Sequence, residues 1–240
     1  MPKGELETHP YLVQGQIANA TKMILGSFPV YECTDPDNQL KRQNRNNEGT
    51  VRFFYGSVDS RFWSLYAAHV DSNIQLPPDP NAILLSLTQK QIAIADNIIS
   101  CERHEFSSED TKLIQKTWNR QAIRNLIQNG VTKILCTSKG VLSDLQLKII
   151  CPAYNQFGVV NVQESTALQT NLINQLGGNI TQITNPIART FIIGTRTVNV
   201  IAIPSPGSAQ RQLKEFGFNG NNWQQYADNY FSTVFNWLIN

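Results

Sequence analysis

Cysteine is scarce in this sequence, and its spacing points away from a metal or redox centre. The 240 residues include four cysteines and no C-x-x-C pair; they stand far apart, at Cys33, Cys101, Cys136 and Cys151. Structural zinc and iron–sulfur sites generally draw closely spaced ligands from the chain. We therefore expect no bound metal, and we interpret the thiols as reduced, mostly buried side chains.

Long apolar runs are also absent. No stretch reaches the roughly 20 apolar residues that a membrane-spanning helix needs, and the first ten residues, MPKGELETHP, lack the apolar segment of a signal peptide. Hydrophobic residues still make up 41% of the chain, which is enough for a buried core. These features predict a soluble, cytoplasmic protein with no membrane partner.

Three common nucleotide-binding and hydrolase motifs are missing. The sequence contains no G-x-G-x-x-G, no G-x-x-x-x-G-K-[S/T] and no G-x-S-x-G. It therefore lacks the signatures of a Rossmann dinucleotide site, a P-loop and a serine-hydrolase nucleophile. An unrelated nucleotide-binding α/β protein is disfavoured for this reason.

Net charge is small as well. The formal value of +2 is too low by itself to indicate a nucleic-acid-binding protein, so any basic surface must come from local clustering. The clearest cluster is LKRQNRNNEGTVRFF, which brings together Lys41, Arg42, Arg45 and Arg52. We expect these arginines, with Arg61, to be candidates for phosphate contacts.

Alternating apolar and amphipathic segments predict an α/β fold. Short buried strands are expected at 22–25 and 131–136, each followed by helical spacing. RTFIIGTRTVNVIAIP predicts a hairpin turning near Gly194, and the final WQQYADNYFSTVFNWL predicts an amphipathic helix. This order favours a mainly parallel central sheet in one domain spanning 1–240, with a candidate insertion at 155–186.

The middle of the chain is harder to assign. IAIADNIISC suits either a strand or a buried helix, and SSEDTKLIQKTWNRQAIRNLIQNG is expected to be a polar loop entering a helix that stops at Gly130. We expect Asp96 to cap a helix, and Glu102 and Arg103 to brace neighbouring loops. We expect each of the three histidines, His9, His69 and His104, to be either hydrogen-bonded within the protein or exposed to solvent.

Loops rich in glycine, serine and proline leave the first and the last predicted strands. GSFPV follows the strand at 22–25, and PSPGS follows the strand at 198–203. Ligands of open α/β sheets bind outside the carboxyl ends of the strands, and such loops expose backbone N–H groups. A third segment, RFFYGSVDSRFW, combines aromatic rings, arginines and serines in twelve residues. We expect the three segments to converge on one ligand.

In this order, GSFP, YGSVDSRFW and PSPGS resemble the motifs of the uracil-DNA glycosylase superfamily, and most closely its hypoxanthine-DNA glycosylase-like branch. IADNIISCERHEFSSEDTKL resembles a fourth motif of that branch. The resemblance implies a three-layer α/β/α sandwich with a mainly parallel central sheet. It implies a base-excision-repair enzyme that needs no cofactor and removes a deaminated base, hypoxanthine or uracil, flipped out of DNA. An abasic site would remain, and we expect the protein to act as a monomer on DNA containing a damaged or deaminated base.

The resemblance assigns candidate roles to three groups of residues. The candidate catalytic residues are Ser57, Asp59 and Ser60. The base pocket is expected to consist of Gly26, Ser27, Phe28, Pro29, Tyr55 and Gly56. DNA contacts are expected from Arg52, Arg61, Ser205, Pro206, Gly207, Ser208, Gln210 and Arg211.

The chain departs from the superfamily pattern where catalysis depends on it. Phe28 stands where many relatives carry Asn or Asp, and Ile203 stands where many carry histidine. Ser57 and Ser60 replace the candidate asparagines, and serine is a poor base. Asp59 is then the nearest carboxylate that could align a water, unless it only stabilises a helix N-terminus. These departures leave an alternative open: a DNA- or nucleotide-binding protein that keeps the fold with weak or no catalysis.

Overall fold

The computed structural model describes residues 6–34, 49–103, 109–151, 160–193 and 195–240, with the backbone alone for 160–164. Within these ranges the strands are β1 Leu6–Thr8, β2 Lys22–Gly26, β3 Ile92–Asp96, β4 Ile98–Arg103, β5 Leu113–Trp118, β6 Lys133–Cys136, β7 Val160–Glu164, β8 Ala188–Ile193 and β9 Arg196–Ala202.

Helices connect these strands and close the chain. They are α1 Tyr31–Thr34, α2 Phe62–His69, α3 Pro80–Gln89, α4 Arg120–Asn129, α5 Lys139–Asp144, α6 Thr166–Gln175, α7 Ala209–Gln212 and α8 Trp223–Ile239. A π-helical turn, Leu145–Ile150, continues α5. Short 3₁₀ turns lie at Val58–Ser60, Asp110–Lys112, Ile180–Gln182, Pro206–Ser208 and Leu213–Phe216.

The larger of two sheets has six strands in the order β3-β2-β6-β9-β8-β7. The pairs β3–β2, β2–β6 and β6–β9 are parallel, whereas β9–β8 and β8–β7 are antiparallel. The α/β class is confirmed, but the sheet is mixed. The expectation of a mainly parallel sheet was too simple, because the predicted hairpin, β8 and β9, brings antiparallel pairing into the same sheet.

Both faces of the central strands are covered. Consecutive side chains of a strand point to opposite faces, yet Met23, Ile24 and Leu25 in β2 are all fully buried, as are Ile134 and Leu135 in β6. Continuous apolar runs of this kind are typical of parallel strands covered on both sides. Burial of each leucine or isoleucine side chain stabilises the fold by about 1.5–3 kcal/mol. These strands therefore hold the loops at their carboxyl ends in place.

The ambiguous segment IAIADNIISC forms two strands in different sheets. β3 lies at an edge of the larger sheet, and β4 is central in the smaller antiparallel sheet β1-β4-β5. Asp96 ends β3, so its predicted role as a helix cap was wrong; the chain passes directly from one sheet into the next. LIQKTW was expected in a polar loop but forms the edge strand β5. Its exposed residues Gln115 and Thr117 are polar, which is why the sequence resembles a loop.

The predicted helices occur with small shifts at their ends. α2 and α5 lie after β2 and β6, where helical spacing was expected, and α8 matches the predicted closing helix and extends one residue further, to Ile239. α4 buries Ile123 and Ile127 and ends at Gly130, whose φ of 144° suits glycine. The confirmed stop at Gly130 leads into β6, the second predicted buried strand.

The candidate insertion is described in part. β7 pairs with β8 at the far edge of the larger sheet, and α6 packs beside β8. Residues 152–159 lie outside the described residues. So do Lys41, Arg42, Arg45, His104 and Gly194, and the expectations attached to them stay predictions.

Candidate functional site

Loops at several strand ends enclose a cavity of about 310 Å³. Its lining is Ser27, Phe28, Val30 and Glu32; Tyr55, Ser57, Asp59, Ser60 and Phe62; Asp110; Thr137, Ser138 and Val141; and Ser205, Pro206 and Gly207. Three of these groups follow the parallel strands β2, β6 and β9, whose carboxyl ends meet at one edge of the sheet. The three segments singled out in the sequence therefore meet: Phe28, Tyr55 and Ser205 share one cavity.

Tyr55 stands between the cavity and the end of β3. Its hydroxyl donates to Asp96 Oδ1 at 3.0 Å, and its ring centroid lies 4.7 Å from that of Phe62. Gly26 pairs with Asp96 across the sheet, and a Cβ at Gly26 would collide with the Asp96 carboxyl group and the Tyr55 ring. Burial, followed by the charge of Asp96, raises the pKa of Tyr55, so its hydroxyl stays protonated and donates.

His9 is the second partner of Asp96, 87 residues away in the chain. His9 Nε2 lies 2.8 Å from Asp96 Oδ2, and His9 Nδ1 accepts the N–H of Tyr11 at 3.1 Å. Because Nδ1 acts as an acceptor, the proton is on Nε2, and neutral His9 donates to Asp96. The expectation that His9 is hydrogen-bonded within the protein is therefore confirmed. Asp96, only 1% exposed, is thus held by two side-chain donors behind the cavity.

Phe28 belongs both to the cavity wall and to a small core cluster. Its ring lies 5.5 Å from the His9 ring, nearly perpendicular, and 5.8 Å from the Arg103 guanidinium carbon. Arg103 Nε pairs with Glu7 Oε1 at 2.9 Å, and its Nη2 donates to the Pro29 carbonyl at 2.9 Å. This buried ion pair fixes the GSFP loop through its main chain, which is the bracing role expected of Arg103.

Two of the candidate catalytic residues, both serines, are tied into a backbone turn. Ser57 is buried, and its Oγ accepts the N–H of Asp59 at 3.3 Å. The Ser60 hydroxyl donates to the Tyr55 carbonyl at 2.8 Å and accepts the N–H of Phe62 at 3.2 Å. Asp59 differs from them, because its side chain is exposed at the rim of the cavity.

α2 begins at Phe62, and Arg61 occupies its N-cap position with φ of 53°. Arg61 itself is exposed. In the PSPG loop, the α-carbon of Gly207 closely approaches the main chain of Asp59. Gly56 is similarly constrained, since a Cβ there would overlap the Val51 carbonyl oxygen. The motif glycines therefore permit close contacts between chain segments.

Asp110 is a cavity residue that sequence reasoning missed. Ser27 Oγ donates to Asp110 Oδ1 at 2.6 Å, and Lys116 Nζ donates to the Asp110 main-chain oxygen at 2.9 Å. Burial raises the pKa of the Asp110 carboxyl group, against the opposing effects of Ser27 and Lys116. The run SSED was visible, but the partner serine is 83 residues away, so no local pattern could identify the contact.

A second hollow, of about 590 Å³, adjoins the cavity. Pro206 and Gly207 line both spaces. Of the residues expected to contact DNA, Arg61, Ser208, Gln210 and Arg211 line the second hollow, Ser205 lines the first, and Arg52 lines neither. The 3₁₀ turn Pro206–Ser208 is therefore the wall between them, and Gln212 braces it by bonding the Ser205 N–H and the Ser208 hydroxyl.

The cysteines lie apart from this chemistry. Cys33, Cys101 and Cys136 are buried and Cys151 is half-buried, all as free thiols. Burial raises the pKa of Cys33 to about 12 and that of Cys101 to about 11, so both stay protonated. The described residues contain no group of three or more His, Cys, Asp or Glu side chains placed to hold a metal. Among the described helices, none has the length and apolar character needed to cross a bilayer.

Neither a protein-family model nor a curated protein matches the chain. Its function is therefore inferred from the cavity, the adjoining hollow and their side chains.

Proposed function

We propose that the chain is a monofunctional DNA glycosylase that hydrolyses the N-glycosidic bond of a deaminated base, hypoxanthine or uracil, flipped out of DNA. One observation carries the proposal: the GSFP loop, the YGSVDS segment and the PSPG loop, far apart in the chain, line a single cavity. Its size of about 310 Å³ lies at the lower end of the range for small-molecule pockets, about 300–1,000 Å³. That suits one base with part of its sugar.

The proposal includes the three-layer α/β/α arrangement. Fully buried residues on both faces of β2 and β6 support helices on each side of the larger sheet. The cavity lies at the carboxyl ends of parallel strands, where such sheets bind ligands. The enzyme would act as a monomer in the cytoplasm, and its chemistry needs only water as a co-reactant.

Aromatic rings give the cavity a surface suited to a nucleobase. Phe28, Tyr55 and Phe62 contribute to its lining, and a flipped base is held by stacking on such rings. Hydroxyl groups of Ser27, Thr137 and Ser138 add polar partners for the edge of the base. A wall that contains both aromatic rings and hydroxyl groups discriminates between bases by their hydrogen-bonding edges.

Asp59 is the carboxylate best placed at the sugar. In the proposed reaction the C1′–N bond breaks, its electron pair leaves with the base, and water adds to the cationic sugar and loses a proton. A carboxylate at the rim stabilises the positive charge and orients the water. Ser57 and Ser60 shape the turn that presents Asp59, through bonds to the Asp59 N–H and the Tyr55 carbonyl.

The second hollow is the proposed path of the DNA backbone. Arg61 and Arg211 face it, and they outnumber its one carboxylate, Asp228. The shared wall, Pro206–Ser208, would then enter the duplex beside the extruded nucleotide, with Gln210 or Arg211 filling the space left in the stack. Phosphate contacts release counterions, so affinity should fall steeply with salt.

A DNA-binding protein without catalysis is the second candidate, and one observation favours it. The Ser60 hydroxyl is used twice by the backbone, and the Ser57 hydroxyl caps the Asp59 N–H. Neither serine therefore replaces the missing asparagine as a water-orienting group. Under this alternative the cavity binds a base but does not release it.

A strand-cleavage assay separates the two candidates. Labelled duplexes carrying uracil, hypoxanthine or xanthine are incubated with the protein, and abasic sites are then cut with alkali. Product above the no-enzyme background supports the glycosylase, and Asp59→Asn should slow its formation while leaving DNA affinity unchanged. Glu109→Gln, which alters a carboxylate outside the cavity lining, is the matched control. Tight binding with no product for any base leaves the binding protein.

A further inference from the structure

The cavity contains a second carboxyl group in a different environment from Asp59. Asp110 begins the turn Asp110–Lys112, just before β5, and its side chain reaches the cavity beside Ser27. Oδ1 accepts the Ser27 hydroxyl at 2.6 Å, and no described residue bonds Oδ2. One carboxyl oxygen is therefore anchored, and the other is available to a molecule in the cavity.

Burial has the largest effect on the pKa of Asp110 and raises it, so the net change is upward. The Ser27 hydroxyl after β2 and the charge of Lys116 on β5 lower the pKa, whereas the charges of Asp96 at the end of β3 and Asp144 at the end of α5 raise it. The other carboxyl groups of the cavity are Asp59 at the rim and Glu32 on α1.

A partly buried carboxyl group on a cavity wall, with its pKa raised, is suited to donate a proton. General acids of this kind are carboxyl groups held in partly buried sites, as in glycoside hydrolysis, and they accelerate bond cleavage by about 10²–10⁴-fold. When hypoxanthine leaves, the electron pair of the broken bond is shared between N9 and N7 of one imidazole ring, and N7 is an acceptor on the edge of the base. A donor on the wall of the base pocket therefore assists departure by placing a proton on that ring.

We propose, on the basis of the glycosylase function above, that Asp110 is the general acid of the reaction. With hypoxanthine, as the C1′–N9 bond breaks, its electron pair moves to the base, and the Asp110 O–H bond gives its proton to N7. The base leaves neutral, and Asp110 is left as a carboxylate. Water adds to C1′ of the cationic sugar and releases one proton, which restores Asp110. Atoms and charges balance with water as the only co-reactant.

The first test compares wild type with Asp110→Asn, which keeps the shape and cannot supply a proton. Single-turnover release of hypoxanthine at saturating protein should fall by about 10²-fold or more. Affinity for the same duplex should stay within about twofold, as expected for an interaction made only in the transition state. A loss of affinity equal to the loss of rate would show a structural role for Asp110 and would overturn the proposal.

The second test uses neighbours of Asp110 and does not depend on the Asp110 variant folding. A general acid must be protonated, so the wild-type rate should decline as pH rises through the Asp110 pKa. Ser27→Ala and Lys116→Gln remove groups that lower that pKa, so they should move the decline to higher pH. Asp144→Asn removes a group that raises it and should move the decline to lower pH. Shifts of one common sign, or no shift, would overturn the proposal.

The outcomes keep this inference separate from the glycosylase function. No release of any base by wild type means that the proposed function fails. Release by wild type with an unchanged rate and pH profile in Asp110→Asn means that the function stands and the role of Asp110 is wrong. Glu109→Gln, on the neighbouring residue outside the cavity, serves as the control for both tests.

Discussion

The α-carbon of Gly207 faces the main-chain carbonyl oxygen of Asp59 so closely that a Cβ at position 207 would lie 2.6 Å from it. This contact joins the PSPG loop to the turn that carries the rim carboxylate. The two loops are neighbours only because one of them lacks a side chain at this point. The geometry of the cavity therefore depends on this approach.

Gly207→Ala should separate the two loops. The carbonyl is main chain and cannot rotate away as a side chain would, so Pro206–Ser208 or the turn at Asp59 must shift. A misplacement of about 1 Å near reacting groups can cost about 10²-fold in rate, and overpacking costs about 1–3 kcal/mol. Single-turnover excision and urea denaturation measure the two effects. Gly220→Ala, where the nearest atom would be 3.6 Å away, is the matched control and should be neutral; equal effects at both positions would contradict the account.

Tyr55→Phe should destabilise the protein while keeping an aromatic ring in the wall. The change removes the bond from the Tyr55 hydroxyl to Asp96 Oδ1 and leaves buried Asp96 with His9 as its remaining side-chain donor. Bonds to carboxylates contribute about 1.5–3 kcal/mol, compared with about 0.5–1.5 kcal/mol for neutral partners. Tyr226→Phe, which loses a bond to the Phe216 carbonyl, is the neutral comparison. Urea denaturation should show the larger loss at Tyr55; the reverse order would argue against a carboxylate there.

Asp110 should make folding less favourable as pH rises. Its pKa is raised in the folded state, so the folded protein holds the proton more tightly than the unfolded chain. The resulting stability is fully present below the unfolded pKa, near 3.8, and is lost as pH rises through the folded value. Asparagine does not ionise, so Asp110→Asn does not lose stability in this way as pH rises. Its free energy of unfolding at neutral pH should therefore equal or exceed that of wild type. Denaturation midpoints across the acid-to-neutral range test this; a variant less stable than wild type at neutral pH would indicate a stabilising carboxylate instead.

Arg61→Ala and Arg211→Ala should each weaken binding to duplexes of any sequence. Both side chains line the second hollow, where the DNA backbone is proposed to lie. Each lost phosphate contact should reduce the slope of log affinity against log salt by about 1. Fluorescence anisotropy over a salt series gives the slope. The control is Arg120→Ala, which alters an exposed arginine that lines neither the cavity nor the second hollow and should leave the slope unchanged. The same decrease in slope for Arg120→Ala would contradict the proposal that the DNA backbone lies in the second hollow.

Local patterns were sufficient for much of this fold. The apolar run of β2, the helical spacing of α2 and α8, and the β8–β9 hairpin all follow from periodicity within a short window. The convergence of GSFP and PSPG could also be expected, since loops at the carboxyl ends of parallel strands share one edge of a sheet. YGSVDS follows none of these strands, and its place beside them was expected only from its composition and the resemblance.

Contacts between distant residues were beyond sequence reasoning. The bond between His9 and Asp96, and that between Ser27 and Asp110, each join residues more than 80 positions apart and leave no periodic trace. β5 was missed for a different reason: as an edge strand it carries polar residues that a loop would also carry. The mixed character of the sheet depended on where the hairpin attaches, which strand patterns do not specify.

The most direct test of the central claim is the identity of the products formed from a duplex with one hypoxanthine. Mass spectrometry of the untreated reaction should find free hypoxanthine and a full-length strand lacking that base, cut only after alkali is added. Free base with an uncut abasic strand is what a monofunctional glycosylase with this cavity produces. A duplex recovered intact, with no free base after prolonged incubation at saturating protein, would contradict the account.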